Sequence, residues 1–433
     1  MTGLTESFLV IVPLLSNAFI WRIKYASLVS STLTLILSIL TYLDLPVVTP
    51  SLYITRFTWY FLVMVAGVYF TSTLYSALYE TPTRERERNY YYFLNTFSAS
   101  MFFTLIVNNL GLMWVGLEAT TISSVLLVTF EGTHEALEAG WRYVILVSTG
   151  VTFAFISVIL FYYGLHTLQI SSILYPHVSL LFTLASVIAL MGFGTKAGLF
   201  PVNTWLPDAH SEAPPAVSAL FSGVLLPVAV YILHVVYSIA PLEPIYSWVS
   251  TVSVLIASLM MASQRYYKRL FAYSTIENMS LAVLGVAANS NEGVIILLLS
   301  HAFSKAGAFY VSGAILKAVN SKEISEYGLI SSPVISTGLL TSSLAVTGAP
   351  PFGNFFGEFL ILLDVLRSQM VAQFWISLFS LGIAFISVNY HVSRMIFKGG
   401  GTFREERRLG ALGLLVALAS LGIGLYLVMG GLP

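Results

Sequence analysis

Residues 191–201 read MGFGTKAGLFP, so three glycines and a proline surround Lys196 in an otherwise apolar stretch. Proline removes a backbone donor and clashes with the preceding turn, so a helix through this stretch should break. Residues 347–359 read TGAPPFGNFFGEF and show the same crowding of glycine and proline beside an ionisable residue, Glu358. The sequence therefore predicts two interrupted helices, each with a charge at its break.

The composition places these helices in a membrane. Of the 433 residues, 57% are hydrophobic and 9% are charged, and the mean hydropathy is +0.84. A soluble globular protein carries roughly 25% charged residues, so this chain has too few to coat a water-facing surface. Soluble enzymes and disordered proteins are excluded. The apolar runs of about 20 residues indicate helices rather than a β-barrel.

We expect an all-α polytopic membrane protein with about fourteen transmembrane helices, of which the seventh and twelfth are broken. The predicted spans are 5–21, 26–44, 52–79, 90–109, 111–130, 140–164, 178–203, 213–239, 244–262, 271–288, 292–318, 328–366, 372–397 and 410–430. The breaks lie five helices apart, and because five is odd the two halves should be inverted repeats of five helices, a pattern typical of transporters. The predicted domains are three N-terminal helices (1–89), a first inverted repeat (90–240), a second inverted repeat (241–400) and a C-terminal helix (401–433).

Residue counts also limit the chemistry of the chain. Lys+Arg and Asp+Glu number 20 each, which leaves no basic excess for nucleic acid, and there is no Cys. The absence of Cys excludes disulfides, Cys-ligated iron–sulfur clusters, covalent haem and thiol catalysis. Asp208, His210 and Glu212 carry side chains that can ligate a metal, but their segment more simply ends one helix and caps the next. We expect no cofactor, no metal and no catalytic redox centre.

The basic residues predict the orientation in the membrane. Sixteen of the 20 Lys and Arg residues follow odd-numbered predicted helices, which places those loops in the cytoplasm and both termini outside. These sixteen are Arg22, Lys24, Arg84, Arg86, Arg88, Arg142, Arg265, Lys268, Arg269, Lys317, Lys322, Arg394, Lys398, Arg404, Arg407 and Arg408.

Four ionisable residues stand out among those inside the predicted spans: Glu118, Lys196, Lys305 and Glu358. A charge at the bilayer centre costs at least ~2.5–3.5 kcal/mol and is usually functional. A carboxylate and an ammonium about 8 Å apart attract by roughly 2 kcal/mol at an effective dielectric of ~20, so moving one changes the proton affinity of the other. The set predicts a proton relay. A static buried ion pair is the alternative, and it accounts for Glu118 and Lys196 but not for Lys305, which has His301 one turn before it.

Two further positions stay open from the residues alone. His234 either faces inward as part of a relay or fills the core of the eighth helix. Glu277 follows a basic cluster at the start of the tenth predicted helix, where a capping or surface role and a proton role are equally supported.

Three longer stretches carry a family resemblance: GTKAGLFPVNTWLPDAHSEAP (194–214), KRLFAYSTIENM (268–279) and HAFSKAGAF (301–309). They resemble the antiporter-like subunits of respiratory complex I, of Mrp cation/proton antiporters and of group-four membrane-bound hydrogenases and formate hydrogenlyases. WVGLEAT (114–120), GWRYVILVSTG (140–150) and YSTIEN (273–278) are most similar to the hydrogenase-associated members.

The resemblance implies a fourteen-helix fold with two inverted five-helix repeats and a site in each half. It implies a Glu–Lys pair at Glu118 and Lys196, a central Lys at Lys305, and a terminal acid at Glu358 as in the M-type complex I subunit. One position departs from the family pattern. Many relatives carry a Lys on the eighth helix where GVLLP (223–227) ends in Pro227, and His234 is a candidate substitute.

The function implied is translocation of H⁺ or Na⁺ by a multi-pass cell-membrane subunit of a redox complex. The electron chemistry would belong to other membrane and peripheral subunits. Two alternatives remain open at this point: a subunit of a cation/proton antiporter without a redox partner, and a membrane scaffold that does not conduct, for which Pro227 is the best argument.

Overall fold

The computed structural model describes residues 4–79, 83–173, 175–401, 403 and 406–430. Met1, Arg404 and Pro433, which enter the orientation prediction, lie outside the described residues. In chain order the α-helices are α1 (Leu4–Ser16), α2 (Ile23–Leu40), α3 (Arg56–Leu78), α4 (Arg84–Ile106), α5 (Leu110–Val128), α6 (His134–Leu165), α7 (Leu180–Ala197), α8 (Trp205–Glu212), α9 (Pro215–Leu220), α10 (Leu226–Ile239), α11 (Glu243–Ala262), α12 (Tyr267–Ala287), α13 (Asn291–Val319), α14 (Pro333–Val346), α15 (Gly353–Arg367), α16 (Val371–Phe397) and α17 (Arg407–Gly430).

Short elements connect some of these helices. A π turn, Phe221–Leu225, joins α9 to α10. The 3₁₀ turns are Ile20–Arg22, Thr41–Asp44, Thr129–Glu131, Ile170–Ser172 and Leu329–Ser331. The two strands within the described ranges, β1 (Val47–Val48) and β2 (Tyr53–Ile54), pair antiparallel with Val47 opposite Ile54.

The beginning of α3 differs from the sequence prediction, which started this helix at residue 52. Residues 53–54 are in a strand, and the helix begins at Arg56. Thr55 accepts a hydrogen bond from the backbone N–H of Thr58 at 3.2 Å, and its own N–H donates to the Thr58 hydroxyl at 3.3 Å. This reciprocal capping satisfies donors that a helix start leaves unpaired, so the capping threonine determines the boundary.

Eleven helical segments among the described residues are long and apolar enough to cross a membrane. They are Ile20–Asp44, Arg56–Leu78, Leu110–Glu131, His134–Ser172, Leu180–Ala197, Pro215–Ile239, Glu243–Ala262, Tyr267–Ala287, Asn291–Val319, Val371–Phe397 and Arg407–Gly430. Thr5–Ser16 and Pro333–Val346 are apolar but shorter, and α4 begins with five consecutive charged residues, 84–88. The all-α polytopic class is confirmed, whereas the count of fourteen and the inverted repeats stay predictions.

The lipid-facing character of the fold is visible on α16. This helix exposes Trp375, Phe379 and Ile386, and it buries Ser377 and Ser380 on its other side. A soluble helix has the reverse arrangement, with apolar side chains inside. Small and hydroxyl-bearing residues facing the interior and large apolar residues facing outward are typical of helices packed in a bilayer.

The chain leaves the helix at both predicted breaks. α7 ends at Ala197, and the next residue, Gly198, has a φ of +82°. α14 ends at Val346, Gly348 has a φ of +62°, and the N–H of Ala349 donates to the carbonyl of Leu344 at 3.0 Å. A left-handed glycine followed by this long-range bond is the usual C-terminal cap of a helix. Helix resumes only at α8 and α15, beyond the prolines.

The chain divides into two compact units. Unit 1 comprises Met1–Ala197 and Val224–Ile245, and unit 2 comprises Gly198–Gly223 and Tyr246–Pro433. Large buried aromatic side chains fill each unit, including Tyr69 and Phe97 in unit 1 and Tyr246 and Tyr310 in unit 2. The four domains expected from the sequence stay a prediction.

Candidate functional site

Lys196 is a fully buried lysine of unit 1. It lies in the last turn of α7. Its Nζ donates to the hydroxyl of Thr121 at 2.7 Å and to the hydroxyl of Tyr143 at 2.9 Å, and it lies 5.2 Å from the centroid of the Tyr143 ring. A buried ammonium is costly unless it is hydrogen-bonded, so α5 and α6 each supply an acceptor.

Glu118 reaches Lys196 through the same threonine. The Thr121 hydroxyl accepts from Lys196 and donates to Glu118 Oε2 at 3.4 Å, while Ser148 donates to Glu118 Oε1 at 3.3 Å. The structure therefore brings the predicted Glu–Lys pair together in one hydrogen-bonded group. The link is indirect, and neither Thr121 nor Tyr143 was singled out from the sequence.

Close helix packing holds this group in place. Gly192 of α7 lies against the backbone of Ala154 in α6, and Gly150 of α6 lies against the side chain of Thr195. A Cβ at either glycine would collide with these neighbours. The glycines beside Lys196 thus let α6 and α7 approach closely, which brings Tyr143 within hydrogen-bonding distance of the lysine.

Lys305 is the buried lysine of unit 2. It lies in the middle of α13, is fully buried, and donates from Nζ to the backbone carbonyl of Phe271 in α12 at 2.8 Å. Its ammonium also interacts electrostatically with Glu277 of α12. The carbonyl supplies one acceptor, and the carboxyl group supplies the opposite charge.

Glu277 has a more central position than the sequence suggested. A role as a helix cap or a surface residue is wrong: Glu277 is 2% exposed and lies ten residues, about 15 Å, into α12. Its Oε2 accepts from Asn278 Nδ2 at 2.7 Å. The predicted tenth helix began at residue 271, but α12 begins at Tyr267, which moves Glu277 deeper. The available signal was the acid itself, which lies halfway along a helix of 21 residues.

Glu358, the predicted acid beyond the second break, lies on α15 and is 8% exposed. Its carboxyl group occupies the space that a Cβ on Gly348 would need. It also interacts electrostatically with Glu277. Glu358, Glu277 and Lys305 are all buried in unit 2, on α15, α12 and α13, and we call these three residues the unit 2 charge cluster.

The predicted histidines have different surroundings. His301 lies one turn before Lys305 on α13, is fully buried, and has no hydrogen-bond partner on either ring nitrogen among the described residues. His234 belongs to unit 1, where its ring stacks on Phe57 at 4.2 Å and borders a cavity of about 260 Å³ that Tyr53 and Tyr231 also line. The structure brings His301 next to Lys305, and it places His234 against an aromatic wall of this cavity.

The acids of α8 form ion pairs and do not cap a helix. Asp208 pairs with Arg269 at 2.5 Å, and Glu212 pairs with Lys322 at 2.7 Å. The orientation prediction counts Lys268 among the basic residues of the cytoplasmic loops. In the structure Lys268 is buried and donates to the carbonyl of Ala213 at 2.7 Å. The expected cap is wrong, because α9 begins at Pro215 without a side-chain hydrogen bond.

Comparisons of the sequence with a family model and with curated proteins point to the same family. The model of the NADH:quinone oxidoreductase/Mrp antiporter transmembrane family matches residues 107–386. The hydrogenase-4 component F homolog of Methylacidiphilum infernorum is 38% identical over 293 residues, which cover 62% of this chain and 61% of that protein. NADH-quinone oxidoreductase subunit M of Rickettsia bellii is 29% identical over 283 residues, which cover 61% of this chain and 57% of that protein. The chain thus spans about three fifths of the length of these two curated relatives.

A solved structure supports the same fold. A chain of the Mrp complex from Dietzia sp. superposes with a TM-score of 0.87 at 19% identity, covering 98% of this chain and 95% of that chain. The family match includes Glu118, Lys196, Lys305 and Glu358. The chain belongs to the NADH:quinone oxidoreductase/Mrp antiporter family of membrane subunits.

Proposed function

We propose that the chain translocates protons, or Na⁺, as a membrane subunit of a complex I-like or group-four hydrogenase-type respiratory complex. The observation that carries the proposal is Lys196, a fully buried lysine joined to Glu118 through the hydroxyl of Thr121. An ionisable residue that deep in a membrane protein is costly and is usually kept for ion movement.

The hydrogen bonds around Lys196 suit proton transfer. A hydroxyl both accepts and donates, so Thr121 can take a proton from the ammonium while it passes its own to Glu118. When a proton passes along this link, Lys196 loses its positive charge and Glu118 loses its negative charge. Because the two ends attract one another when charged, a change at Glu118 alters the affinity of Lys196 for its proton.

Unit 2 contains a second group of the same chemistry. Lys305, Glu358 and His301 come from α13 and α15, and all three are buried. We assign them, with Glu118 and Lys196, to the proton relay. His234 is the least supported member, because its ring stacks on Phe57 and it has a relay role only if the adjoining cavity holds water.

The family also suggests how ion movement is driven. The relatives are named as a hydrogenase component, a quinone oxidoreductase subunit and a chain of an Mrp complex. We therefore assign this chain to a multisubunit assembly in the plasma membrane, with electron transfer in partner subunits and none in this chain. The termini and the loops after the even-numbered predicted spans would be extracytoplasmic.

One observation favours a different role, that of a membrane scaffold. Pro227 is buried in α10 and occupies the position where many relatives carry a lysine. A chain without that group could hold a complex together without conducting ions. Antiport without a redox partner is the other alternative, and it differs in needing no electron donor.

The test is ion uptake by membrane vesicles that contain the assembled complex, with electron transfer measured in parallel. Lys196→Met should abolish uptake while the complex still assembles, because it removes the protonatable group and keeps the length of the side chain. Lys398→Met, at a side chain that is 59% exposed, is the matched control and should behave like the wild type. Wild-type uptake by an assembled Lys196→Met complex would identify the chain as a scaffold. Uptake that persists without an electron donor but needs a counter-ion gradient would identify an antiporter.

A further inference from the structure

An apolar groove with a charge at one end runs between α1 and α2 in unit 1. Its volume is about 430 Å³. Residues that repeat every three or four positions lie on one face of a helix, and such a set forms the α2 wall of the groove. The set comprises Arg22, in the turn before α2, and Tyr25, Ala26, Val29, Ser30 and Leu33. Arg22 is the one charged residue among the described residues that line the groove.

The length of the groove matches one leaflet of a bilayer. Its α2 wall runs from Arg22 to Leu33, and eleven residues (33 − 22) at 1.5 Å each span about 16 Å. The hydrocarbon core of a bilayer is about 30 Å thick, so one leaflet contributes about 15 Å. A cation at one end and an apolar wall beyond it are complementary to a lipid, which has a polar headgroup and apolar chains of this length.

The charged end of the groove has the character of a membrane surface. Trp21 is 95% exposed and Tyr25 is 66% exposed, and these two residue types are enriched where a bilayer meets water. The sequence predicts that Arg22 and Lys24 lie on the cytoplasmic side. The cytoplasmic leaflet is the one that carries anionic lipids, and basic pockets between helices on this side bind their headgroups.

The Arg22 guanidinium is available for such a headgroup. Lys24, two residues away, pairs with Glu87 at 3.9 Å. Arg22 is exposed and forms no ion pair within the described part of the chain. A guanidinium binds phosphate through two parallel hydrogen bonds, so an unpaired arginine at the mouth of an apolar groove is suited to a phosphodiester.

We propose that an anionic phospholipid binds in this groove, with its phosphate at Arg22 and one acyl chain along Ala26, Val29 and Leu33. The size of the groove favours an acyl chain over a helix of another subunit. A helix with its side chains is about 10–12 Å across, so a 16 Å stretch fills more than about 1,000 Å³. This lipid site goes beyond the proposed function and does not depend on ion movement.

The test is photo-crosslinking of the assembled complex with phosphatidylglycerol that carries a photoreactive group in one acyl chain. Labelled peptides should fall within residues 12–33. Arg22→Gln should lower their yield about fivefold, the effect of one cation on an anionic headgroup. Ala26→Phe should abolish labelling there, because the ring fills the groove while Arg22 remains.

Two matched controls lie outside the groove. Arg265→Gln removes another exposed arginine that is predicted to be cytoplasmic, and Ala372→Phe adds the same ring at another exposed alanine. Both variants should label residues 12–33 at the wild-type yield. A yield that falls equally in Arg22→Gln and Arg265→Gln would mean that general surface charge attracts the lipid, and it would overturn a site at Arg22.

Three outcomes with the wild-type complex would also overturn the proposal, whether or not the variants assemble. Equal labelling by phosphatidylethanolamine with the same photoreactive group would mean non-selective contact with bulk lipid. Displacement of the probe by excess glycerol phosphate would mean a site for free phosphate. No labelling within residues 12–33 would mean that another subunit covers the groove. Selective labelling by phosphatidylglycerol in a complex that moves no ions would support the lipid site and refute translocation.

Discussion

Gly348 makes room for the carboxyl group of Glu358. A Cβ on Gly348 would collide with Glu358 Oε2. Gly348 also has a φ of +62°, a backbone conformation that residues other than glycine adopt with strain. The glycine that ends α14 thus also positions the acid at the beginning of α15. The end of α14 and the position of the Glu358 carboxyl group therefore depend on the same residue.

Gly348→Ala should therefore have two effects. The left-handed backbone costs about 1 kcal/mol with a side chain present, which lowers the stability of the complex modestly. The displaced Glu358 carboxyl should lower ion uptake far more than this loss of stability explains. Thermal unfolding and uptake by the same vesicles measure the two effects. Gly382→Ala, at a glycine with open space around it, is the control. Equal uptake in both variants would contradict the role of Gly348.

Thr121→Val removes the hydroxyl that joins Lys196 to Glu118 and keeps the shape of the side chain. The hydrogen bonds on both sides of this hydroxyl are lost, each of about 1.5–3 kcal/mol when one partner is charged. Ion uptake should fall by roughly tenfold or more, since 1.4 kcal/mol corresponds to a factor of ten. Thr149→Val is the control, because Thr149 is exposed and its hydroxyl donates to the carbonyl of Ile145 in its own helix. Unchanged uptake in Thr121→Val would mean that protons reach Lys196 by another route.

Lys305→Ala should stop uptake through the unit 2 charge cluster, because it removes the ammonium that donates to the Phe271 carbonyl and balances the buried acids. Lys305→Arg keeps the positive charge but cannot release a proton, so it should assemble normally and still fail to translocate. Uptake at wild-type level in an assembled Lys305→Arg complex would show that this residue has a purely electrostatic role.

The orientation can be tested with single cysteines, because the chain has none of its own. The basic residues place Arg88 in the cytoplasm, and Val178, which is 87% exposed between α6 and α7, on the outside. In right-side-out vesicles an impermeant thiol reagent should label Val178→Cys and spare Arg88→Cys until the membrane is permeabilised. Labelling of Arg88→Cys in intact vesicles would overturn the helix count.

The membrane character and the two breaks could be predicted because they depend on local chemistry. Long apolar runs and clustered glycine and proline act on the backbone within a few residues. Glu118, Lys196 and Lys305 could be found for the same reason, since a charge inside an apolar run is visible without knowing its neighbours.

The partners of these charges could not be predicted. Thr121 and Tyr143 resemble many other hydroxyl-bearing residues of the chain, and only the packing of α5, α6 and α7 selects them as acceptors for Lys196. A surface role stayed open for Glu277 because the basic residues Arg265, Lys268 and Arg269 obscured where α12 begins. An error of one turn in a helix start is enough to exchange a surface role for an interior one.

The π turn Phe221–Leu225 accommodates Pro227 within one long helix. Helix runs from Pro215 through this turn to Ile239, and the proline lies two residues beyond the turn. In a regular α-helix a proline ring clashes with the carbonyl four residues earlier, which here belongs to Gly223, inside the turn. The wider turn relieves this clash, so a residue that usually breaks a helix lies in the middle of a long one.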